Sequence, residues 1–143
     1  MTATSVPHPL VDRLLALWAE PIPDVDVARA AFAALYADPL TLNGVAIPLD
    51  TLVDRATATH AALHRTGVQV LDVVDAPGRV VVAFEMTATH LGTLQSSVGA
   101  VAATGREVTV RTIDILAVDG GLITDIWVVS DELGLLNQLG VRV

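Results

Sequence analysis

Residues 108–140 read VTVRTIDILAVDGGLITDIWVVSDELGLLNQLG. Val108–Val118 alternates and is rich in β-branched residues, which predicts a strand. Asp119-Gly120-Gly121 supplies a turn where positive φ costs little. Leu122–Val129 is a second strand, so the pair forms a hairpin. The Leu-rich stretch Asp131–Leu139 predicts a short helix stopped by Gly140. Side chains alternate across a strand, so Val108, Val110, Thr112, Asp114 and Leu116 share one face. Asp114 is then a carboxylate on a mostly apolar face. It is either a structural acid bonded to backbone or Arg, or a polar group in a pocket.

Upstream, Arg79–His90 places Val80, Val82, Phe84, Met86, Ala88 and His90 on one face, with Val81, Glu85, Thr87 and Thr89 on the other. Val68–Val74 precedes it across Ala76-Pro77-Gly78. These four segments are expected as consecutive antiparallel strands. The N-terminal part has helical spacing instead. Met1–Pro7 is expected to be loose. Pro9–Glu20 brings Leu10, Leu14, Leu17 and Trp18 onto one side. Asp24 or Asp26 caps a helix over Val27–Tyr36, which Asp38-Pro39 ends. Asn43-Gly44 predicts a type I′ turn within Leu40–Ile47. Asp50 or Thr51 starts a third helix that runs to about Arg65, with Thr51 and Asp54 as a capping box, and Gly67 stops it. Ser96–Thr104 reads as a loop. Helices first and a strand meander after them indicate an α+β fold.

The chain has 143 residues, enough for one domain, 1–143, with a real core. No apolar run approaches the roughly 20 residues that span a bilayer, and no secretory pattern opens the chain, so a cytoplasmic protein without membrane contact is expected. Cysteine is absent, which removes disulfides and thiol nucleophiles. All 8 basic residues are Arg, so no lysine is present for Schiff-base chemistry. A net charge of -8 without a basic cluster makes nucleic acid a poor partner. His60 and His64 stand four apart on the expected third helix, but no HExxH and no third ligand accompany them, so no metal is expected.

The C-terminal third carries a resemblance. Thr104-Gly105-Arg106, an alternating strand, Asp119-Gly120, a strand with central Trp127, and Asp131 through Gly140 resemble the SnoaL-like polyketide cyclases of the NTF2-like superfamily. Ala88-Thr89-His90-Leu91-Gly92 is similar to that family's G-x-H-x-G segment. The resemblance implies a cone: a curved antiparallel sheet packed against N-terminal helices around an apolar pocket. It implies a small hydrophobic polyketide as ligand and no cofactor. It also places Val128 where the aldol-type cyclases carry their catalytic Asp, and Asp114 where they carry a His.

The acid–base set of an aldol closure is therefore not preserved residue by residue. The chemistry expected instead is cofactor-free ring closure by folding of the substrate, of pericyclic or Diels–Alder type. Asp114 and His90 are the catalytic candidates, with Asp114 a neutral hydrogen-bond donor to a substrate carbonyl. The substrate-binding candidates are Trp18, Tyr36, Thr41, His60, Phe84, Met86, Thr112 and Val128. A non-catalytic module for binding a hydrophobic metabolite or for dimerisation is the alternative. Epoxide opening is a third reading, disfavoured because it needs paired carboxylates. The apolar outer face, with Ile113, Ile115 and Trp127, predicts a homodimer.

Overall fold

A computed structural model describes residues 8–143; the Met1–Pro7 stretch expected to be loose lies outside the described residues. Helix α1 (Pro9–Leu17) starts at His8, whose Nδ1 accepts the Val11 N–H at 3.4 Å. Helix α2 (Val25–Ala33) starts at Asp24, which accepts the N–H groups of Asp26 and Val27. Both helices end sooner than the periodicity suggests. Pro21 and Pro23 follow α1, and Tyr36 is drawn into strand β1 (Tyr36–Leu42).

Asp38-Pro39 lies inside β1 rather than ending a helix. The Asp38 carboxylate accepts the N–H of Leu49, the first residue of α3 (Leu49–Ala62). This long-range cap stands in for the expected Thr51–Asp54 box, since Pro48 holds the N-cap position and makes no side-chain cap bond.

The third helix is also shorter than expected, and the reason is tertiary. β3 (Leu63–Ala76) begins directly after Ala62. Leu63, His64 and Arg65 pair with His90, Thr89 and Ala88 of β4 (Arg79–His90). A ladder on β4 satisfies these backbones better than a fraying helix end. The Ala62 carbonyl takes the N–H groups of Leu91 and Gly92. Gly92 is needed there, because a Cβ would run into the Ala61 carbonyl. His64 therefore leaves the helix, and the expected i, i+4 histidine pair does not form.

A short hairpin, β5 (Leu94–Ser96) and β6 (Gly99–Val101), occupies part of the expected loop. β7 (Glu107–Asp119) and β8 (Leu122–Ser130) form the hairpin of the opening stretch. Asp131 caps α4 (Glu132–Gln138) through the Gly134 N–H at 2.8 Å.

The main sheet has the order β2-β1-β8-β7-β4-β3, with β2 spanning Val45–Ile47. The four long strands run antiparallel in the expected order. β1, however, lies parallel to β8, so the sheet is mixed rather than wholly antiparallel. Register shifts in β3 and in the β7–β8 pair add the bends that curve it. The result is the α+β architecture that the resemblance implies.

The inner face of the sheet is the core. One buried cluster joins α1, α2 and α3 to Val80, Val82 and Leu116. A second joins Ala62, Leu63, Ala88 and Val108 to Leu135 and Leu139 of the C-terminal helix region. Each fully buried aliphatic side chain contributes about 1.5–3 kcal/mol.

The β1–β2 turn is stitched to the sheet. Asn43 and Gly44 have φ of 49° and 82°. Asn43 Oδ1 accepts the Val128 N–H at 2.8 Å, and the Asn43 N–H reaches the Ile126 carbonyl at 2.8 Å. Asn43→Ala is expected to lose about 1–2 kcal/mol in urea unfolding, from one hydrogen bond and a left-handed backbone without its tolerant residue. Asn43→Gly should lose less, because only the bond goes. Equal losses for the two would show that the backbone conformation contributes nothing.

Candidate active site

The two core clusters do not close on each other everywhere. Between them lies a cavity of about 340 Å³ whose walls draw on both. Its sheet wall is the inward face of β4, β7 and β8: Phe84 and Met86, Val110, Thr112 and Asp114, Ile126 and Val128. Its helical wall brings Leu14, Leu15 and Trp18 from α1 and its end, and Leu52, Arg55 and Thr59 from α3. Alternation along each strand is what turns these side chains inward.

Asp114 stands directly across the ladder from Val128 on one side and Val82 on the other. It is 9% exposed, and among the described residues no basic group forms an ion pair with it. Burial alone raises its carboxyl pKa to about 6. A neutral donor at pH 7 needs a pKa of about 7 or more. The shift runs toward the neutral form expected at Asp114 and leaves a carboxyl group that exchanges its proton close to neutral pH.

Tyr36, at the start of β1, is 2% exposed. Its hydroxyl oxygen accepts the Trp18 Nε1–H at 2.8 Å. Phe32 stacks on its ring at 5.8 Å between centroids, with Trp18 edge-on to Phe32 at 5.5 Å. Burial pushes the Tyr36 phenol well above its ordinary pKa, opposed by the Trp18 bond and reinforced by the Asp114 charge. The phenol stays protonated. With its oxygen occupied by Trp18, its own O–H is left to donate. A desolvated carboxyl group and a braced neutral donor thus share one apolar chamber.

Seven of the sequence candidates line this cavity: Trp18, Tyr36, Phe84, Met86, Thr112, Asp114 and Val128. The other three lie elsewhere. His90 is fully buried but outside the chamber walls. It pairs with Leu63 at the far end of β4, and its Nδ1 accepts the Thr104 N–H at 3.1 Å with Thr104 Oγ1 at 3.0 Å. Its place is to pin the segment before β7. Thr41 falls between the buried Leu40 and Leu42, so alternation turns it to the opposite face. His60 lines a separate cavity of about 500 Å³ between α2 and α3, together with His64.

Arg55, Thr59 and Arg65 line the Asp114 chamber and were not among the sequence candidates. Arg65 was hidden because helical periodicity assigns it to the end of α3. In the strand it shares the inward face with Ala88. Burial lowers its pKa, yet a guanidinium remains charged.

A family model described as SnoaL-like polyketide cyclase matches residues 10–139. Among solved structures, TsrD from Streptomyces laurentii is similar with a TM-score of 0.75 and 18% identity, covering 93% of each chain. A SnoaL-like polyketide cyclase from Agrobacterium tumefaciens gives a TM-score of 0.71 at 18% identity, over 94% of this chain and 100% of that one. A protein of ketosteroid isomerase-like fold from Catenulispora acidiphila gives 0.70 at 15%, over 97% and 96%. At such identities these likenesses speak to the fold alone. No curated protein matches the chain.

Proposed function

We propose, from the premise that the chain belongs to the SnoaL-like polyketide cyclase family, that it closes a ring in a hydrophobic polyketide chain without a cofactor. The chamber's volume, about 340 Å³, lies within the range of small-molecule sites. Its walls fold a flexible apolar chain and hold the reacting ends together, which removes entropy before the barrier. The observation that supports catalysis over storage is the Asp114 carboxylate beside the Tyr36 phenol.

The chemistry follows from those two groups. The Asp114 carboxylate takes a proton from the carbon next to a substrate carbonyl. The Tyr36 O–H hydrogen-bonds the enolate oxygen that develops. The enolate carbon attacks a second carbonyl, and the new alkoxide recovers the proton from Asp114. Sequence alone weighed against aldol-type chemistry because its acid–base partners were missing. Tyr36 supplies the donor that Val128 lacks.

One feature favours a second reading. Val128 faces Asp114 directly, so that side of the chamber is apolar. A pericyclic closure, such as an intramolecular Diels–Alder reaction, moves no proton and needs only the fold of the chain and one hydrogen bond. The pH dependence of turnover on linear polyene–polyketide chains separates the two. A base of pKa about 6 makes kcat rise with pH through that value; pericyclic closure leaves kcat flat. Binding of such chains without any cyclised product would leave only the binding-module reading.

We further propose a homodimer through the outer face of the sheet. Ile113 pairs with Val129 and Ile115 with Trp127, and all four are exposed. Trp127 is 53% exposed and Val129 73%. Sedimentation at tens of micromolar protein, an order-of-magnitude choice for modest affinity, is expected to give a dimer. Ile113→Glu with Trp127→Glu should give a monomer. A monomeric parent would sink this assembly and leave the chamber chemistry untouched.

A further inference from the structure

Resting on the reading of the chamber as a ligand site, we infer that Arg65 selects substrates with a free carboxylate at the end remote from Asp114. The positions set the polarity. Arg65 sits in the ladder row of Ala88, whereas Asp114 sits in the row of Val82. Those rows are about 20 Å apart along β4 at the rise of a β-strand. Both residues line the same chamber. It therefore has a cationic end and an anionic end, with Met86, Phe84 and Val110 between them.

Arg65 is held ready for an acceptor it lacks. Its Nε and Nη1 are buried, and among the described residues neither has a hydrogen-bond partner. Buried donors are nearly always paired, and an unpaired one costs free energy. The shortage is not one of acids. The chain has 16 Asp and Glu against 8 Arg. Arg29 and Arg111 find carboxylates at the surface, at 2.7 Å and 3.5 Å, but Arg65 finds none.

A carboxylate fits this vacant fork in both charge and shape, since two parallel N–H···O bonds match a planar guanidinium. Arg55, exposed on the same wall, adds a second positive charge. Thr59 follows one turn later on α3, its hydroxyl tied to the Arg55 carbonyl at 2.9 Å. A substrate carboxylate is attracted to this end and repelled by ionised Asp114 at the other. The chain is thereby threaded in one direction, with its reacting carbonyls beside Asp114 and Tyr36.

The test uses the full chain and two matched probes, decanoate and 1-decanol, titrated by calorimetry at pH 8. Decanoate is expected to bind at least tenfold more tightly than decanol. Arg65→Gln should erase that advantage, bringing decanoate affinity down to that of decanol. Arg65→Lys should keep part of it, because charge survives while the fork does not. The parent offers a check that needs no variant: the advantage must vanish below about pH 4, where carboxyl groups take up a proton.

Equal binding of the two probes by the parent overturns the carboxylate selection, while decanol binding still supports a hydrophobic ligand chamber. Persistence of the advantage in folded Arg65→Gln overturns the role of Arg65 in the same way. Failure of both probes to bind overturns the chamber reading itself, and this inference with it.

Discussion

Asp114→Asn is expected to melt higher and turn over more slowly than the parent. The sign of the first effect comes from linkage. The folded carboxyl has a pKa of about 6, above its ordinary 3.8. The folded state therefore holds the proton more tightly than the unfolded chain. The buried acid costs nothing below about pH 4, and the penalty grows between about pH 4 and 6 and is complete above that. At about 1.4 kcal/mol for each pH unit, the full penalty is about 3 kcal/mol. An amide of nearly the same shape avoids it. The melting temperature should rise by about 5–10 °C at pH 8 and change little at pH 4.

Turnover should move the other way. Removing a general base costs about 100- to 1,000-fold in kcat, and the rise of kcat through pH 6 should flatten in the variant. Stabilisation with loss of activity marks an acid kept for chemistry. A variant that is both more stable and equally active would mean that folding of the chain suffices for closure. A variant that is less stable would mean that Asp114 is a structural acid.

Tyr36→Phe carries the second large effect. It deletes the phenol O–H braced by Trp18 while keeping the ring that stacks on Phe32. Loss of one preorganised donor to a developing oxyanion costs about 100-fold in kcat. KM should change little, because the ground-state carbonyl gains less from that bond than the transition state does. Stability should fall by only about 1 kcal/mol, since the Trp18 N–H loses its acceptor. Trp18→Phe should give a smaller loss of kcat, having removed the brace but not the donor. Unchanged kcat in Tyr36→Phe would shift the oxyanion contact to another group and undo the acid–base pair.

The strands were legible because their signal is local. Alternation over Arg79–His90 and Val108–Val118 fixes which residues face inward, and it alone exposes Asp114 as an acid among apolar neighbours. The Asn43-Gly44 turn and the Asp131 cap are likewise local chemistry. The C-terminal pattern of residues 104–140 carried the family resemblance, and with it the general shape of the fold.

What sequence could not contain was competition between distant segments. The pattern around His60 and His64 is as good a helix as any up to Arg65, and only the free edge of β4 decides otherwise. That switch carries His64 out of the helix and turns Arg65 into the chamber. His90 has the right face of its strand but the wrong end, since only the full register shows how far it lies from Asp114. Tyr36 reads as the last turn of a helix until β8 claims it as a parallel strand, beside Trp18 and Asp114. The sequence determined which faces are apolar and which acid is out of place. The tertiary structure decided which polar groups meet that acid, because hydrogen-bond ladders between remote strands, not local propensity, set where each helix stops and where each side chain arrives.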